Sequence, residues 1–258
     1  MTEFQQTVWQ FYRAHGRRMP WRDTPTPYFV LVSEVMLQQT QVARVAPKFL
    51  QFMQLFPDFQ TLAKAELGDV LRAWNGLGYN RRAKFLWQAA RSIVQMDFPK
   101  TADGLAALPG IGRNTAGAIV AYVYNQPVVF VETNIRTVFI HHFFEDQPAV
   151  SDAEISKLVQ SALPSTDVRQ WYWALMDYGS FLKTTTGSKL EKVKQYKKQG
   201  RFAGSQRQIR GHVLRLLAQD RLELHQLQAK ITDQRLTTVL AALVNEGLVK
   251  TKDNSFSI

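Results

Sequence analysis

The sequence predicts an all-α protein that ends in a small winged-helix-like module, and three observations support this. Apolar residues recur at helical spacing through the first 182 positions, the gaps between those runs are short and marked by Pro and Gly, and the last stretch reads as three short helices followed by a hairpin. The helical runs fall at 4–14, 28–39, 43–55, 60–64, 67–75, 81–96, 103–107, 114–124, 133–144, 152–163 and 168–182. Phe56-Pro57-Asp58, Gly76-Leu77-Gly78 and Pro109-Gly110-Ile111-Gly112 punctuate them, the glycines permitting tight backbone turns. From Lys183 to Arg201 the apolar pattern fades into Thr-Thr-Thr-Gly-Ser and then Lys189, Lys192, Lys194, Lys197, Lys198 and Arg201, which reads as a basic linker suited to phosphate contacts. Beyond it, 205–219, 223–230 and 233–247 read as helices, with 247–250 and 254–258 as the two arms of a hairpin. The expected organisation is a helical body over 1–182, a linker over 183–204 and a module over 205–258. Such modules bind DNA or protein, and no aromatic or arginine pattern here decides between the two.

Composition narrows the function classes. At 258 residues, 45% of them hydrophobic, the chain can bury a core without staples. Lys plus Arg exceed Asp plus Glu by 32 to 21, a net charge of +11 that favours a polyanionic partner. There is no cysteine, which excludes disulfides, thiol nucleophiles and thiolate-held metal sites. Met1 leads into polar residues and no run of about 18 apolar residues occurs, so a soluble intracellular protein is expected.

Leu108-Pro109-Gly110-Ile111-Gly112 joins two helices through a Gly-x-Gly turn. Bare backbone N–H groups there can approach a phosphate oxygen, and the N-terminus of the next helix adds favourable charge. By itself such a turn is commonplace between helices. Glu34 sits in a largely apolar helical run, where desolvation raises the pKa of a carboxyl and keeps a proton on it.

Several separated blocks together resemble the MutY family of adenine-specific mismatch glycosylases, within the helix-hairpin-helix and endonuclease III superfamily. They are Pro20-Trp21-Arg22, Ser33 to Val42, Trp74 to Tyr79, Leu108 to Gly117 and Leu175-Met176-Asp177-Tyr178-Gly179, in the family's order and spacing over roughly 8–182. The resemblance implies a two-lobed helix-hairpin-helix glycosylase body and double-stranded DNA as partner. It further implies a monomer acting in the cytoplasm at the nucleoid, with no membrane. Cutting an N-glycosidic bond requires protonating the base and stabilising an oxocarbenium-like sugar, a task for two carboxyl groups. Glu34 and, by resemblance, Glu132 are the catalytic candidates; Glu132 stands where the superfamily carries Asp, as stabiliser or water-activating base. Asp177 is a further acid whose family position is structural.

For the DNA and base, the resemblance points to Gln38, Gln39 and Tyr79 for flipping and wedging, and to Arg22, Arg81, Arg82 and Arg113 beside phosphates. Leu108, Gly110, Gly112, Asn114, Thr115 and Asn134 complete the expected contact set, with a monovalent cation at the hairpin. Strand-cutting relatives carry a lysine just after the hairpin; Asn114 stands there, so no Schiff base and no lyase step are expected. Relatives also hold a [4Fe–4S] cluster on four cysteines after the body; without those ligands the cluster is expected to be absent, the loop being either held by packing of Leu190, Val193, Tyr196 and Phe202 or mobile until it meets DNA. The C-terminal part is shorter than the family's 8-oxoguanine-reading domain. Two alternatives remain open: a uracil or thymine glycosylase acting opposite guanine, in keeping with the departures at Glu132 and Asn80, and a DNA-binding module without activity.

Overall fold

A computed structural model describes residues 1–194 and 200–258. Tyr196, Lys197 and Lys198 of the expected linker lie outside the described residues. The chain begins with α1 (Glu3–His15), α2 (Pro20–Asp23), α3 (Pro27–Leu37), α4 (Val42–Leu55), α5 (Phe59–Lys64), α6 (Leu67–Ala73) and α7 (Arg81–Ile93). It continues through α8 (Ala102–Ala106), α9 (Arg113–Tyr124), α10 (Thr133–Phe143), α11 (Asp152–Ala162) and α12 (Val168–Thr185), then a 3₁₀ turn at Leu190–Lys192. The last part holds α13 (Gln206–Leu217), β1 (Leu222–Glu223), α14 (Leu224–Lys230), α15 (Leu236–Asn245), β2 (Lys250–Lys252) and β3 (Ser255–Ser257). The helical architecture expected from periodicity is therefore present, and no helix among the described residues is long and apolar enough to cross a membrane.

Several helix starts are written in the local sequence. Thr2 and Ser151 form capping boxes with Gln5 and Glu154, while the side chains of Asp58 and Thr101 accept from Thr61 N and Gly104 N at 2.7 and 3.2 Å. Each such cap satisfies an orphan N–H and contributes about 1 kcal/mol. α2 was not expected, because four residues are too few to show a period; Pro20 at its first position presets the helical φ.

The chain groups into two compact units, each built from two segments: residues 1–34 with 99–198, and 35–98 with 199–258. The division falls inside α3, between Glu34 and Val35, and so differs from the linear body, linker and module expected from composition.

In the first unit α10 and α12 lie side by side. Their approach depends on Gly179, where a Cβ would meet the Asn134 carbonyl oxygen at 2.2 Å. α1 packs on α12 through Phe4 and Trp9, whose rings stand 6.0 and 5.6 Å from Trp171. Trp171, Phe139 and Leu175 are fully buried, and burying a large apolar side chain stabilises by roughly 1.5–3 kcal/mol each. After α12 the chain is tied back by a parallel bridge between Val150 and Val193, with Val150 N donating to Lys192 O at 2.8 Å and Lys194 N to Val150 O at 3.1 Å. Lys189 and Lys192 both place their ammonium groups on Glu145, and Leu190 and Val193 are buried. Phe202, expected to help hold this stretch, is instead 60% exposed.

The second unit has a core of Phe49, Phe52, Leu62, Trp74 and Leu86 from α4 to α7. Its C-terminal part has the winged-helix order helix, strand, helix, helix, strand, strand, with a three-stranded antiparallel sheet ordered β1-β3-β2. β1 was not read from the sequence, since two residues carry no alternation. The β2–β3 turn uses Asp253 and Asn254, both in the left-handed region at φ 48° and 58°, as a tight hairpin requires. Glu246 joins this part to α7 within the unit: its carboxylate takes a two-pronged contact from Arg210 at 3.0 and 2.6 Å and lies 3.8 Å from Arg81, while its carbonyl accepts from Lys84 at 2.5 Å.

Candidate active site

The first unit brings Glu34 and Glu132 into one electrostatic field. α3 buries Val30, Leu31, Val32, Val35 and Met36, so Glu34, the one carboxyl on this helix, is carried toward the interior. Glu132 is the N-cap of α10, yet its carboxylate makes no capping bond to its own helix. Both residues are partly exposed. Burial pushes the Glu34 carboxyl well above its usual range; the neighbouring Glu132 charge pushes it further, against the opposing pull of Arg22. Glu132 is also raised by burial, but Arg136 pulls it down. Two carboxylates sharing one field retain a proton more readily than either alone. Arg22 opposes the rise on Glu34 as Arg136 opposes that on Glu132, so both carboxyls hold a proton more readily than exposed ones do.

Arg22, expected beside phosphates, is placed differently. Its side chain is 8% exposed and donates to Asp177 through Nη1 and Nη2 at 2.9 and 3.0 Å, with the guanidinium over the Trp173 ring at 5.3 Å. The Arg17 backbone N and Nε both reach Asp177 at 2.8 Å. Asp177 is 1% exposed and fully occupied by these donors, a structural anchor for the cation that faces Glu34. A buried guanidinium satisfied in this way cannot also clamp a DNA backbone.

Tyr122 on α9 is a site residue that the sequence reading missed. It is 5% exposed, and its phenol is pushed well up by burial, then by Glu34 and Glu132, against Arg22. Asn114, Ala118 and Tyr122 stand at successive i, i+4 positions, a pattern that puts all three on one face of α9. That spacing is the signal that could have found it.

The hairpin is formed as expected at the backbone. Gly110 lies at φ 76°, Ile111 N donates to Leu108 O at 3.2 Å, and Gly112 is the N-cap of α9 with nothing within 4 Å of where a Cβ would stand. Gly112 and Arg113 are exposed, whereas Leu108 and Thr115 are buried and serve the interior. The Asn114 amide bonds the backbone of Val131, and Asn134 Nδ2 donates to Met176 O at 3.2 Å.

The second unit holds the remaining expected residues. Gln39 and Tyr79 sit in turns with φ of 55° and 47°; Gln39 is exposed and Tyr79 is 36% exposed, its hydroxyl accepting from Arg207 at 3.0 Å. Gln38 is partly buried, and Arg81 has its side chain 60% exposed. Arg82 departs from its expected phosphate role. At 8% exposure its Nη1 donates to the carbonyls of Val35, Met36 and Gln38 at 2.9, 2.9 and 2.5 Å, and its Nη2 to Thr40 Oγ1, Leu77 O and Gly78 O at 3.0, 3.2 and 3.1 Å. Burial lowers this guanidinium to about 10. It fastens the Gln38-Gln39 turn to the Gly76–Tyr79 turn.

The donor chemistry does not fit a thiolate-held cluster after α12, since the sequence contains no cysteine, and no step below runs through one. No group of three or more His, Asp or Glu suited to a metal ion occurs among the described residues.

The chain is 34% identical over 187 residues to an adenine DNA glycosylase of Buchnera aphidicola subsp. Baizongia pistaciae, covering 69% of this chain but 52% of that protein. It thus spans about half the length of that relative. To an adenine DNA glycosylase of Mycolicibacterium smegmatis it is 31% identical over 278 residues, covering 95% of this chain and 92% of the relative. A thermostable thymine-DNA glycosylase structure shares the fold with a TM-score of 0.61 at 22% identity, over 69% of this chain and 84% of the other. Residues 32–164, which include both carboxylates and the hairpin, match the family described as HhH-GPD superfamily base excision DNA repair protein, and the chain belongs to that superfamily.

Proposed function

We propose that this protein is a monofunctional DNA glycosylase of base excision repair, removing adenine mispaired with guanine or 8-oxoguanine and leaving an abasic site. The observation that carries the reading is the Glu34–Glu132 pair, two buried carboxyls in one field, Glu34 pushed up by burial and by its neighbour's charge, and Glu132 pushed up by burial against the pull of Arg136. Glu34 gives its proton to the departing base as the N-glycosidic bond breaks. The Glu132 carboxylate stabilises the positive charge developing on the sugar, then takes a proton from the water that adds there. The target atoms are inaccessible in a stacked duplex, so the nucleotide must leave the stack. The exposed Gly112 and Arg113 at the head of α9 suit a phosphate beside it. Adenine as the base is supported by similarity to the adenine glycosylases above. A hydrolytic outcome without strand cutting is supported by Asn114, which offers no amine for a Schiff base. Action as a monomer on double-stranded DNA, with no resident cofactor, belongs to the same proposal.

The test uses labelled duplexes containing A·8-oxoG, A·G, U·G, T·G and hypoxanthine·T, each treated with hot alkali after incubation with wild type, Glu34→Gln or Glu132→Gln. Cleavage confined to the adenine duplexes and lost in both variants is expected. Product from the U or T duplexes alone would overturn adenine as substrate. Binding without product from any duplex would overturn the enzymatic reading.

A further inference from the structure

Residues 125–132, which lead from α9 to Glu132, form neither helix nor strand, and where the segment turns inward, at Val128 and from Phe130 on, its backbone groups need partners from other parts of the chain. Tyr172 supplies one, its hydroxyl donating to Val128 O at 2.7 Å. Asn114 supplies the next two: its Nδ2 donates to Val131 O at 3.0 Å and its Oδ1 accepts from Val131 N at 3.5 Å. A primary amide that reads both the N–H and the C=O of one residue does what a neighbouring strand would do, and it fixes the backbone immediately before the catalytic candidate. Val131 is itself 4% exposed. On the far side Arg136 N bonds Glu132 O at 2.8 Å, so the backbone of Glu132 is held from both directions while its carboxylate makes no helix cap.

We propose that Asn114 is the positioning residue for Glu132, setting where that carboxylate stands relative to Glu34. The inference rests on the functional reading above and assigns Asn114 a role other than touching DNA. Glutamate carries one more methylene than aspartate, so its carboxylate has an additional torsion through which to wander. A fixed backbone anchor limits the volume it can sample. The clamp also joins the two ends of the site: Asn114 is the second residue of α9, two positions after the hairpin glycine Gly112, so a phosphate drawn to the hairpin and the carboxylate of Glu132 are referred to the same turn of helix.

The experiment compares the full chain with Asn114→Leu, which keeps the volume but removes both bonds, and Asn114→Gln, which retains a donor and an acceptor. Three quantities are read: the single-turnover rate on the A·8-oxoG duplex at saturating enzyme, the duplex Kd, and the titration of the two carboxyls followed by 13C-labelled glutamate. Asn114→Leu is expected to slow the single turnover by about 10- to 100-fold, the range for a reacting group displaced by up to an ångström, with Kd changed by less than about twofold. The Glu34 titration should move with it, because Arg22, Tyr122 and Arg136 remain in place and only its distance to Glu132 changes. Asn114→Gln should recover part of the rate. A weakened Kd with an unchanged saturating rate would make Asn114 a DNA contact and overturn the proposal. Superimposable titrations would overturn it too, even if wild type left every adenine duplex intact; that last result would sink the functional reading separately.

Discussion

Burying the Glu34 carboxyl against a second acid costs stability whenever the solution would otherwise ionise it, and the sign of this cost is measurable. A native pKa raised above the unfolded one means that the folded state holds more protons between the two values. Stability therefore falls as pH rises from the ordinary carboxylate range through the raised one. Glu34→Gln is expected to melt at a higher temperature than wild type near neutral pH, by about 2–4 °C for each kcal/mol recovered, with the two melting together once the pH lies below the ordinary value of about 4.3. The rate of a reaction using Glu34 as acid should run in the same direction, highest below the raised pKa and falling through it. Asp177 gives the opposite lesson. Asp177→Asn leaves Arg22 without its anion in a buried position and should cost about 3–5 kcal/mol in urea titrations, while the fraction still folded turns over at a rate within a few-fold of wild type. A loss of chemistry in fully folded protein would instead make Asp177 a reacting acid. At this scale Glu34 was legible, because an acid in an apolar helical run has few other places to go. Arg22 and Arg82 were not: an arginine beside aromatics or glycines reads as a phosphate ligand, and only the tertiary structure shows its donors already spent on Asp177 or on backbone carbonyls.

Among the elements, α10 and α12 set the tolerance of the first unit. Gly179→Ala puts a methyl against the Asn134 carbonyl, and backbone cannot swing aside as a side-chain tip would. A destabilisation of about 1–3 kcal/mol or more is expected in denaturant melts, with the α10 N-terminus, and Glu132 with it, displaced. In the second unit Arg82→Lys keeps the charge but cannot span six acceptors. Amide exchange at Gln38–Thr40 and Leu77–Gly78 should accelerate in that variant, and unchanged protection there would show that the turns hold themselves. Helices of ten residues or more were visible from their 3.6-residue period, and so was the helix order of the C-terminal module. α2 and β1 were invisible because they are shorter than any period, and the Asn114–Ala118–Tyr122 face was hidden inside a helix that is apolar all round. The clamp on Val131 belongs to no motif, since a side chain bonding the backbone of another segment leaves no mark in either.

Over the whole molecule the positive charge is unevenly spread. Residues 183–204 carry seven Lys or Arg against one Glu, so six of the net +11 charges sit in 22 positions. If this stretch supplies non-specific contacts to DNA, neutralising Lys194 and Arg201 by Gln should each reduce the slope of log K against log salt by about 0.9 and leave the saturating single-turnover rate alone; an unaltered slope would place the contacts elsewhere. The linear order expected from composition did not reveal that each compact unit is made of two distant segments, because periodicity reports faces and not partners. That arrangement has a consequence during synthesis. α1 buries Phe4 against Phe139 and Phe143 of α10 and against Trp171 of α12, and Trp9 against Trp171, and α12 leaves the ribosome some 170 residues later. At about 5–20 residues per second the aromatic face of the first helix waits on the order of ten seconds for its partner. A nascent chain stalled before α12 therefore displays part of that face to whatever holds unfolded protein in the cell, and a segment that follows both candidate carboxylates in sequence decides when α1 can be fully covered.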